Sequence, residues 1–311
     1  MNTTHRFQRT ISKPVSCTGV GLHTGIESTI VFRPAPEDSG IHFFRKDIEN
    51  CPSILADIEH VVDISRGTTI EQNGIKIYTV EHALAAVSGL RIDNVLIELT
   101  AKEPPVMDGS SKDFVDALLN SGIVEQKKPR RVLEISNPVA YSDPDRGVDI
   151  HVVPSDRFRV TFMIDYKLPS LGSQYTAVYN MQEDFAKEVA PARTFCFLSE
   201  VEELREVGLI RGGALDNAVV LVDKVIDDAE VGRLKTLFDI EDEIIMGANG
   251  ILNGKKLRYK NEPVRHKTLD LIGDMALLGV PIKGHVTAAR SGHASNVEFV
   301  KMIRNVYPDF F

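Results

Sequence analysis

The stretch Val264-Arg265-His266-Lys267-Thr268-Leu269-Asp270-Leu271-Ile272-Gly273-Asp274-Met275-Ala276-Leu277-Leu278 decides how this chain is read. Its apolar positions follow a helical period, Gly279 and then Pro281 close it, and the run from Lys283 to Ala288 follows as a strand. Within the helix, His266, Asp270 and Asp274 recur at i, i+4 and i+8, so all three project from one face. An imidazole and a carboxylate one turn apart can grip one metal ion. The third carboxylate is then free to orient another group.

Outward from this helix, both halves of the chain read as α+β. On the C-terminal side, Arg159 to Ile164 reads as a strand and Ala294 to Ile303 as a helix. On the N-terminal side, Glu27 to Phe32 and Asn94 to Leu99 read as strands. Tyr78 to Ser88 reads as a helix with Thr79 as its N-cap, and Asp113 to Asn120 as a helix ended by Ser121-Gly122. The polar segment Glu125-Gln126-Lys127-Lys128-Pro129-Arg130-Arg131 is the expected boundary, giving domains 1–127 and 128–311. The halves are read as two copies of one strand-and-helix sandwich, although no residue-level repeat joins them. Residues from Arg193 to Val222 look inserted: an apolar run, a charged helix from Ser199 to Glu206, and a strand from Asn217 to Val222. Two readings stay open for this unit, an ordinary core-facing βαβ piece and the wall of a groove for an apolar ligand.

The bulk numbers narrow the function. A chain of 311 residues suits two domains, and 43% hydrophobic with 26% charged residues fits a globular protein. No run of 18 or more apolar residues occurs, and the polar N-terminus has no signal-peptide core. Cys17, Cys51 and Cys196 are far apart without a CxxC pair, which argues against a disulfide framework and for the cytoplasm. A net charge of −8 without a basic tract excludes a broad nucleic-acid surface, but leaves room for a small anionic substrate. Nothing points to an obligate oligomer, so a monomer without stable membrane insertion is expected.

A catalytic metal site takes three protein ligands and keeps one position for water. His82, His266 and Asp270 fit that count. The ion would bring the pKa of bound water toward ~7. Glu81 precedes His82, and adjacent helical side chains point about 100° apart, so Glu81 can face the water as general base. His293, in the turn-like Ser291-Gly292-His293, can approach from outside the helix to stabilise an oxyanion or protonate a leaving amine. Asp274 can hold that ring protonated. A solvated i, i+4 pair gives the same HxxxD spacing, and the HExxH signature is absent. His23, in a glycine-flanked turn, and His285, in a strand, are read as structural, His285 as a packed core residue. Gly19-Val20-Gly21 lacks the spacing and lysine of a phosphate loop, which argues against a small-molecule kinase. A non-catalytic nucleotide-sugar-binding module would need a fourth ligand, and would leave Glu81 and His293 without purpose.

These residues match a known pattern. Thr18-Gly19-Val20-Gly21-Leu22-His23-Thr24-Gly25, Thr79-Val80-Glu81-His82, Glu103-Pro104-Pro105-Val106-Met107-Asp108-Gly109-Ser110, Ala192-Arg193-Thr194-Phe195, Arg265 to Asp274 and Ser291-Gly292-His293-Ala294 occur in one order. In that order the chain resembles the UDP-3-O-acyl-N-acetylglucosamine deacetylases of lipid A biosynthesis in Gram-negative bacteria. The resemblance implies an α+β fold of two similar sheet-plus-helix sandwich domains with the active site between them. It implies a hydrolase that gives acetate and UDP-3-O-acyl-glucosamine, the committed step of that pathway. One Zn2+ per chain, or Fe2+, would sit on His82, His266 and Asp270, with Glu81 as base and His293 as cationic partner oriented by Asp274. Thr194 would hold the oxyanion and Lys267 would favour the anionic substrate. Phe195 to Val222 would form the passage for the acyl chain, and Ser65 to Ile77 a second insert. Arg290 stands where some relatives carry lysine and keeps the charge for a phosphate contact. Val153, ahead of Pro154, replaces a basic residue of other members, so Phe195, Lys267 and Arg290 are the expected substrate-binding set.

Overall fold

The computed structural model describes residues 6–168, 171–224, 231–235, 250–252 and 256–311. Two mixed sheets carry the fold, and they share one topology. In the first, Val15–Val20 pairs antiparallel with Glu27–Pro34, which pairs antiparallel with Val95–Leu99; that strand runs parallel to Ile41–Arg45, which pairs with Ile54–Leu55. In the second, Val139–Asp143, Val148–Val153, Ile282–Ala289, Phe158–Asp165 and Ser173–Val178 take the same order with the same directions. Leu133–Glu134 adds a short parallel strand beside Ile282 and Lys283. Two helices flank the last strand of each sheet in sequence: α1 (Glu81–Gly89) and α2 (Lys112–Ser121) in the first half, α4 (Glu262–Ala276) and α5 (His293–Val306) in the second. The repeat absent from the residues is therefore present in the topology.

Each half also carries an insertion at the same place, after its fourth sheet strand in sequence and before its first helix. In the first half it is a three-stranded sheet of Val61–Asp63, Thr69–Gln72 and Ile75–Ile77. In the second, Phe195–Phe197 runs parallel to Val219–Leu221 with α3 (Leu198–Glu206) between them in sequence. The βαβ reading of this unit holds, and it has its own small apolar cluster of Leu198, Val201, Val220, Val222, Leu234 and Leu252. Among the described residues, no helix is long and apolar enough to cross a membrane.

Three local expectations change. Ile123–Pro129 is not a loose connector; it is a strand paired antiparallel with Phe7–Ile11, and Gln126 on it exchanges hydrogen bonds with Asn94 and the Ala35 carbonyl. Its charged residues sit on an exposed edge, which reads in sequence like a linker. Thr79 does not cap α1. Its backbone is left-handed (φ 53°) and its hydroxyl donates to Glu103 at 3.0 Å, so the helix starts at Glu81 without a side-chain cap. His285 is not in the core: Ile282–Ala289 buries Ile282, Gly284, Val286 and Ala288. His285 faces the other way, half-buried, with Nε2 2.9 Å from the Thr161 hydroxyl.

The two halves meet where α1 packs on α4. Gly273 is the contact point: a Cβ there would stand 2.2 Å from the Glu81 carbonyl oxygen. Only a residue without a side chain lets the backbones approach this closely. Both helices are buried on almost every face, and one apolar core runs from Phe32 and Leu84 through Leu271 to Phe162 and Phe299. Gly273→Ala is expected to force the helices apart and cost about 1–3 kcal/mol, as overpacking does. Chemical denaturation would measure it, and an unchanged midpoint would show that the crossing tolerates a methyl group.

Candidate metal centre

The helix crossing sets the site. Glu81 and His82 open α1, and His266, Asp270 and Asp274 line one face of α4, so the close approach brings five titratable side chains to one place. His82, His266 and Asp270 each offer a ligand atom within 4.8 Å of the others, and all three residues are buried. His266 spends Nδ1 on the Ala192 carbonyl at 3.0 Å, which leaves Nε2 turned toward Asp270 Oδ1 at 3.4 Å. His82 Nε2 lies 3.8 Å from the same oxygen, and the two rings meet edge to face at 5.0 Å. The Ser111 hydroxyl, at the start of α2, donates to the His82 carbonyl at 2.8 Å.

Protonation states fit a cation. Burial, then the neighbouring His266, holds the His82 imidazole down to about 3, and burial likewise lowers His266. Burial opposes the charge on Asp270, but His266, Lys267 and His293 outweigh it and keep the carboxyl well below its usual range. Two neutral imidazoles and an ionised carboxylate are the donor set a divalent ion requires. Lys267, half-buried, donates from Nζ to Asp270 Oδ2 at 3.0 Å.

Around this cluster two groups are shifted in a direction that suits acid–base work. Burial pushes the Glu81 carboxyl up to about 7; His293 opposes this, while Asp274 and Asp270 add to it. Burial resists charge on His293, yet Asp274 and then Glu81 raise it to about 10. His293 opens α5, where its Nδ1 lies 2.8 Å from Asp274 Oδ2, and its Nε2 then faces Glu81 Oε1 at 3.8 Å and Asp270 Oδ2 at 3.9 Å.

A cavity of about 260 Å³ opens from these groups. Glu81, His82, His266, Lys267, Asp270 and His293 line it together with Thr194 and Phe195, and Val201, Leu204, Ile210 and Val220 of the βαβ insert line it too. The insert is thus a βαβ unit, and part of it lines the cavity. Thr194 is placed by its own backbone, its N–H donating to the Gly109 carbonyl at 2.7 Å and its carbonyl accepting from Val219.

One expected substrate residue, Arg290, and Val153, which replaces a basic residue of other members, lie elsewhere. The exposed Arg290 donates from its guanidinium to the Gly147 carbonyl and does not line the cavity. Val153 is half-buried on the second sheet opposite His285, also away from the cavity. His23, by contrast, lines the cavity, with Nε2 3.0 Å from the Arg66 carbonyl.

Sequence reading missed Thr68, Asn296 and Glu103. The Thr68 hydroxyl donates to Asp274 Oδ1 at 2.6 Å and Asn296 Nδ2 to Asp274 Oδ2 at 2.9 Å. Buried Glu103 accepts from the backbone of His23 and Thr24. The charged stretch around Glu103 was visible, and its preceding apolar strand could have flagged a buried acid. Thr68 and Asn296 carry no local signal, because their partners are 206 and 22 residues away.

A buried carboxyl beside a His-His-Asp cluster, at a cavity that reaches the βαβ insert of a duplicated α+β sandwich, is the arrangement of a metal-dependent hydrolase. The family model described as UDP-3-O-acyl N-acetylglycosamine deacetylase matches residues 8–238 and 234–305. The chain belongs to that family. It is similar to the bifunctional enzyme LpxC/FabZ of Chlorobaculum tepidum, 51% identical over 96% of this chain and 64% of that protein. It is also similar to the UDP-3-O-acyl-N-acetylglucosamine deacetylases of Acidithiobacillus ferrooxidans (42% identical, 95% of this chain and 89% of that one) and Myxococcus xanthus (40%, 95% and 86%). The chain thus spans just under two thirds of the bifunctional relative and most of the single-activity ones.

Replacing His266 or Asp270 by alanine is expected to abolish uptake of a divalent cation, measured as bound metal per chain after gel filtration. A variant that keeps stoichiometric metal would remove that residue from the cluster. In metal-free protein, an NMR titration should find the His293 ring charged through neutral pH and losing its proton only near about 10. Because the Asp274 charge raises that value, Asp274→Asn should bring it down, so that the ring is neutral at a pH where wild type is still charged. An unmoved titration would show that Asp274 does not hold the charge.

Proposed function

We propose that this chain removes the N-acetyl group of UDP-3-O-acyl-N-acetylglucosamine, releasing acetate and UDP-3-O-acyl-glucosamine, the committed step of lipid A biosynthesis. The observation that carries this reading is one cavity joining three buried metal donors, a base and a cation to an apolar passage. We assign His82, His266 and Asp270 as ligands of one Zn2+, with Fe2+ as the alternative the same donors would accept. Such an ion, when bound, supplies Lewis acidity and an acidified water.

The chain's own residues do the rest. Glu81, with a carboxyl near the pH of the cell, takes the proton of the attacking water. His293, held charged by Asp274, faces the reacting carbonyl and stabilises the developing oxyanion, with the Thr194 hydroxyl beside it. Glu81 or His293 then protonates the departing amine. Lys267 favours the anionic nucleotide sugar and Phe195 opens the acyl passage. Arg290 gives its Nε to the Gly147 carbonyl, and the terminal amino groups of its exposed guanidinium carry the N–H donors for a phosphate. We take residues 1–127 and 128–311 as the two domains, and the insert from about 195 to 222 as the acyl-chain wall. A monomer in the cytoplasm, touching the membrane only through its amphiphilic substrate, fits three free cysteines and the want of a spanning helix among the described residues.

The test is acetate release from UDP-3-O-acyl-N-acetylglucosamine by chelator-stripped protein, with and without one equivalent of zinc. Activity that vanishes on stripping and returns with zinc is expected. Folded protein that takes up zinc and turns nothing over would leave a nucleotide-sugar-binding module in its place. His293→Ala should lose ~100- to 1000-fold in rate while still binding metal. Near wild-type turnover in that variant would take the oxyanion role away from His293.

A further inference from the structure

Thr68 is fully buried, and its polar groups tie the start of α1 to α4: the backbone bonds go to α1 and the hydroxyl to α4. Its carbonyl accepts from the N–H of Val80, the residue that leads into α1, at 3.1 Å. Its N–H donates to Glu81 Oε2 at 2.9 Å. Its hydroxyl donates to Asp274 Oδ1 on α4 at 2.6 Å, and the same oxygen lies 3.4 Å from His293 Nδ1 on α5. The residue before it confirms how tightly this strand start is seated: Gly67 has φ 150°, and a Cβ there would stand 2.8 Å from Glu81 Oε1. No side chain fits between the segment and the carboxylate.

We propose that Thr68 is a positioning residue that fixes the two proton-handling groups, Glu81 and the Asp274–His293 pair, in one relation to each other. The inference rests on the roles proposed above for Glu81 and His293. Thr68 itself touches neither the cavity nor a metal donor: it is absent from the lining, while both groups that it holds form part of that lining or brace it. Three donors, from Thr68, His293 and Asn296, converge on Asp274, so the carboxylate has one orientation and the His293 ring presents Nε2 to the cavity. With the hydroxyl gone, Asp274 Oδ1 is left without its donor in a buried setting, and the carboxylate can turn with the ring that it carries. Glu81, held by the Thr68 backbone, stays in place. The base and the cation then lose their mutual alignment while the metal donors keep theirs.

The test compares Thr68→Val, which keeps the shape and removes the hydroxyl, with Thr68→Ser, which keeps the hydroxyl. Steady-state deacetylation, bound zinc and thermal stability are measured on each holoenzyme, with Glu81→Gln and His293→Ala as controls. Thr68→Val is expected to lose ~10- to 100-fold in kcat with KM and zinc content unchanged, and Thr68→Ser to recover most of it. Wild-type kcat in Thr68→Val, beside inactive controls, overturns the positioning role and leaves the proposed function standing. Active controls would instead overturn the proposed function. Equal losses in both Thr68 variants would also overturn the inference, since the hydroxyl would not matter. If Thr68→Val does not fold, the wild-type protein decides: a slowly exchanging Thr68 hydroxyl proton close in space to the His293 ring is expected by NMR, and a freely exchanging one overturns the inference.

Discussion

Everything at the site depends on how closely α1 and α4 approach. Gly273 brings the backbone of α4 against the Glu81 carbonyl, and no other residue type leaves room for that contact. Glu81 and His82 begin one helix, and His266, Asp270 and Asp274 span two turns of the other. A wider crossing would separate His82 from Asp270 and leave two half-sites. The contact is therefore both the seam between the halves of the protein and the device that assembles its chemistry. Burial follows from the same seam, and burial is the first cause of the shifts on Glu81, His82 and His266.

The shared topology explains why the seam lies there. α1 and α4 hold the same place in their respective halves, each entered from an insertion and each leading to the strand that runs parallel to a neighbour. Packing one copy's helix on the other's buries the apolar face that each sandwich would otherwise expose. The two inserts precede the paired helices in sequence, one before α1 and one before α4. One of them, the small sheet, brings Thr68 to the Glu81 and Asp274 carboxylates. The other delivers Phe195 and the apolar passage. The two copies differ at the cavity. At the start of its second helix, the first half places Ser111, which holds the His82 backbone; the second half places His293, which faces the cavity.

What could be read in the sequence was whatever local spacing determines. The i, i+4, i+8 series put His266, Asp270 and Asp274 on one face, and the alternation in Phe158 to Asp165 and Ile282 to Ala289 gave the strands of the second sheet. Glycine marked both the end of α2, where Gly122 has φ 76°, and the stop after α4. Features that depend on distant partners were not legible. The edge strand Ile123–Pro129 passed for a linker because its ladder partner is the first strand of the chain. Thr79 passed for a cap because nothing local shows that Glu103 claims its hydroxyl. His285 passed for a core residue because alternation gives two faces without saying which one is buried. Ligand count suggested His82 with His266 and Asp270 and family resemblance supported it, but no spacing within one segment could show that the two helices meet.

The charges enclosed by the seam do not balance on their own side chains. Glu81, Asp270 and Asp274 bring three carboxyls into a buried space, against which stand His293 and Lys267 as cations and two imidazoles held neutral. Such a group of acids can reach a low energy by binding a proton or by binding a cation. Without a cation, the cheapest site for the proton is Glu81: it lacks the flanking lysine of Asp270 and the imidazolium bond of Asp274, and its carboxyl rises to about 7. A divalent ion on His82, His266 and Asp270 would add positive charge next to that carboxyl and draw it back down, since a bound cation is the largest local charge in such a site. Glu81 would therefore ionise more readily with a cation on the cluster, which would release its proton. The acids that would hold a cation thus also set the protonation state of Glu81 beside them, which ties the affinity of the cluster for a cation to the charge of that carboxyl.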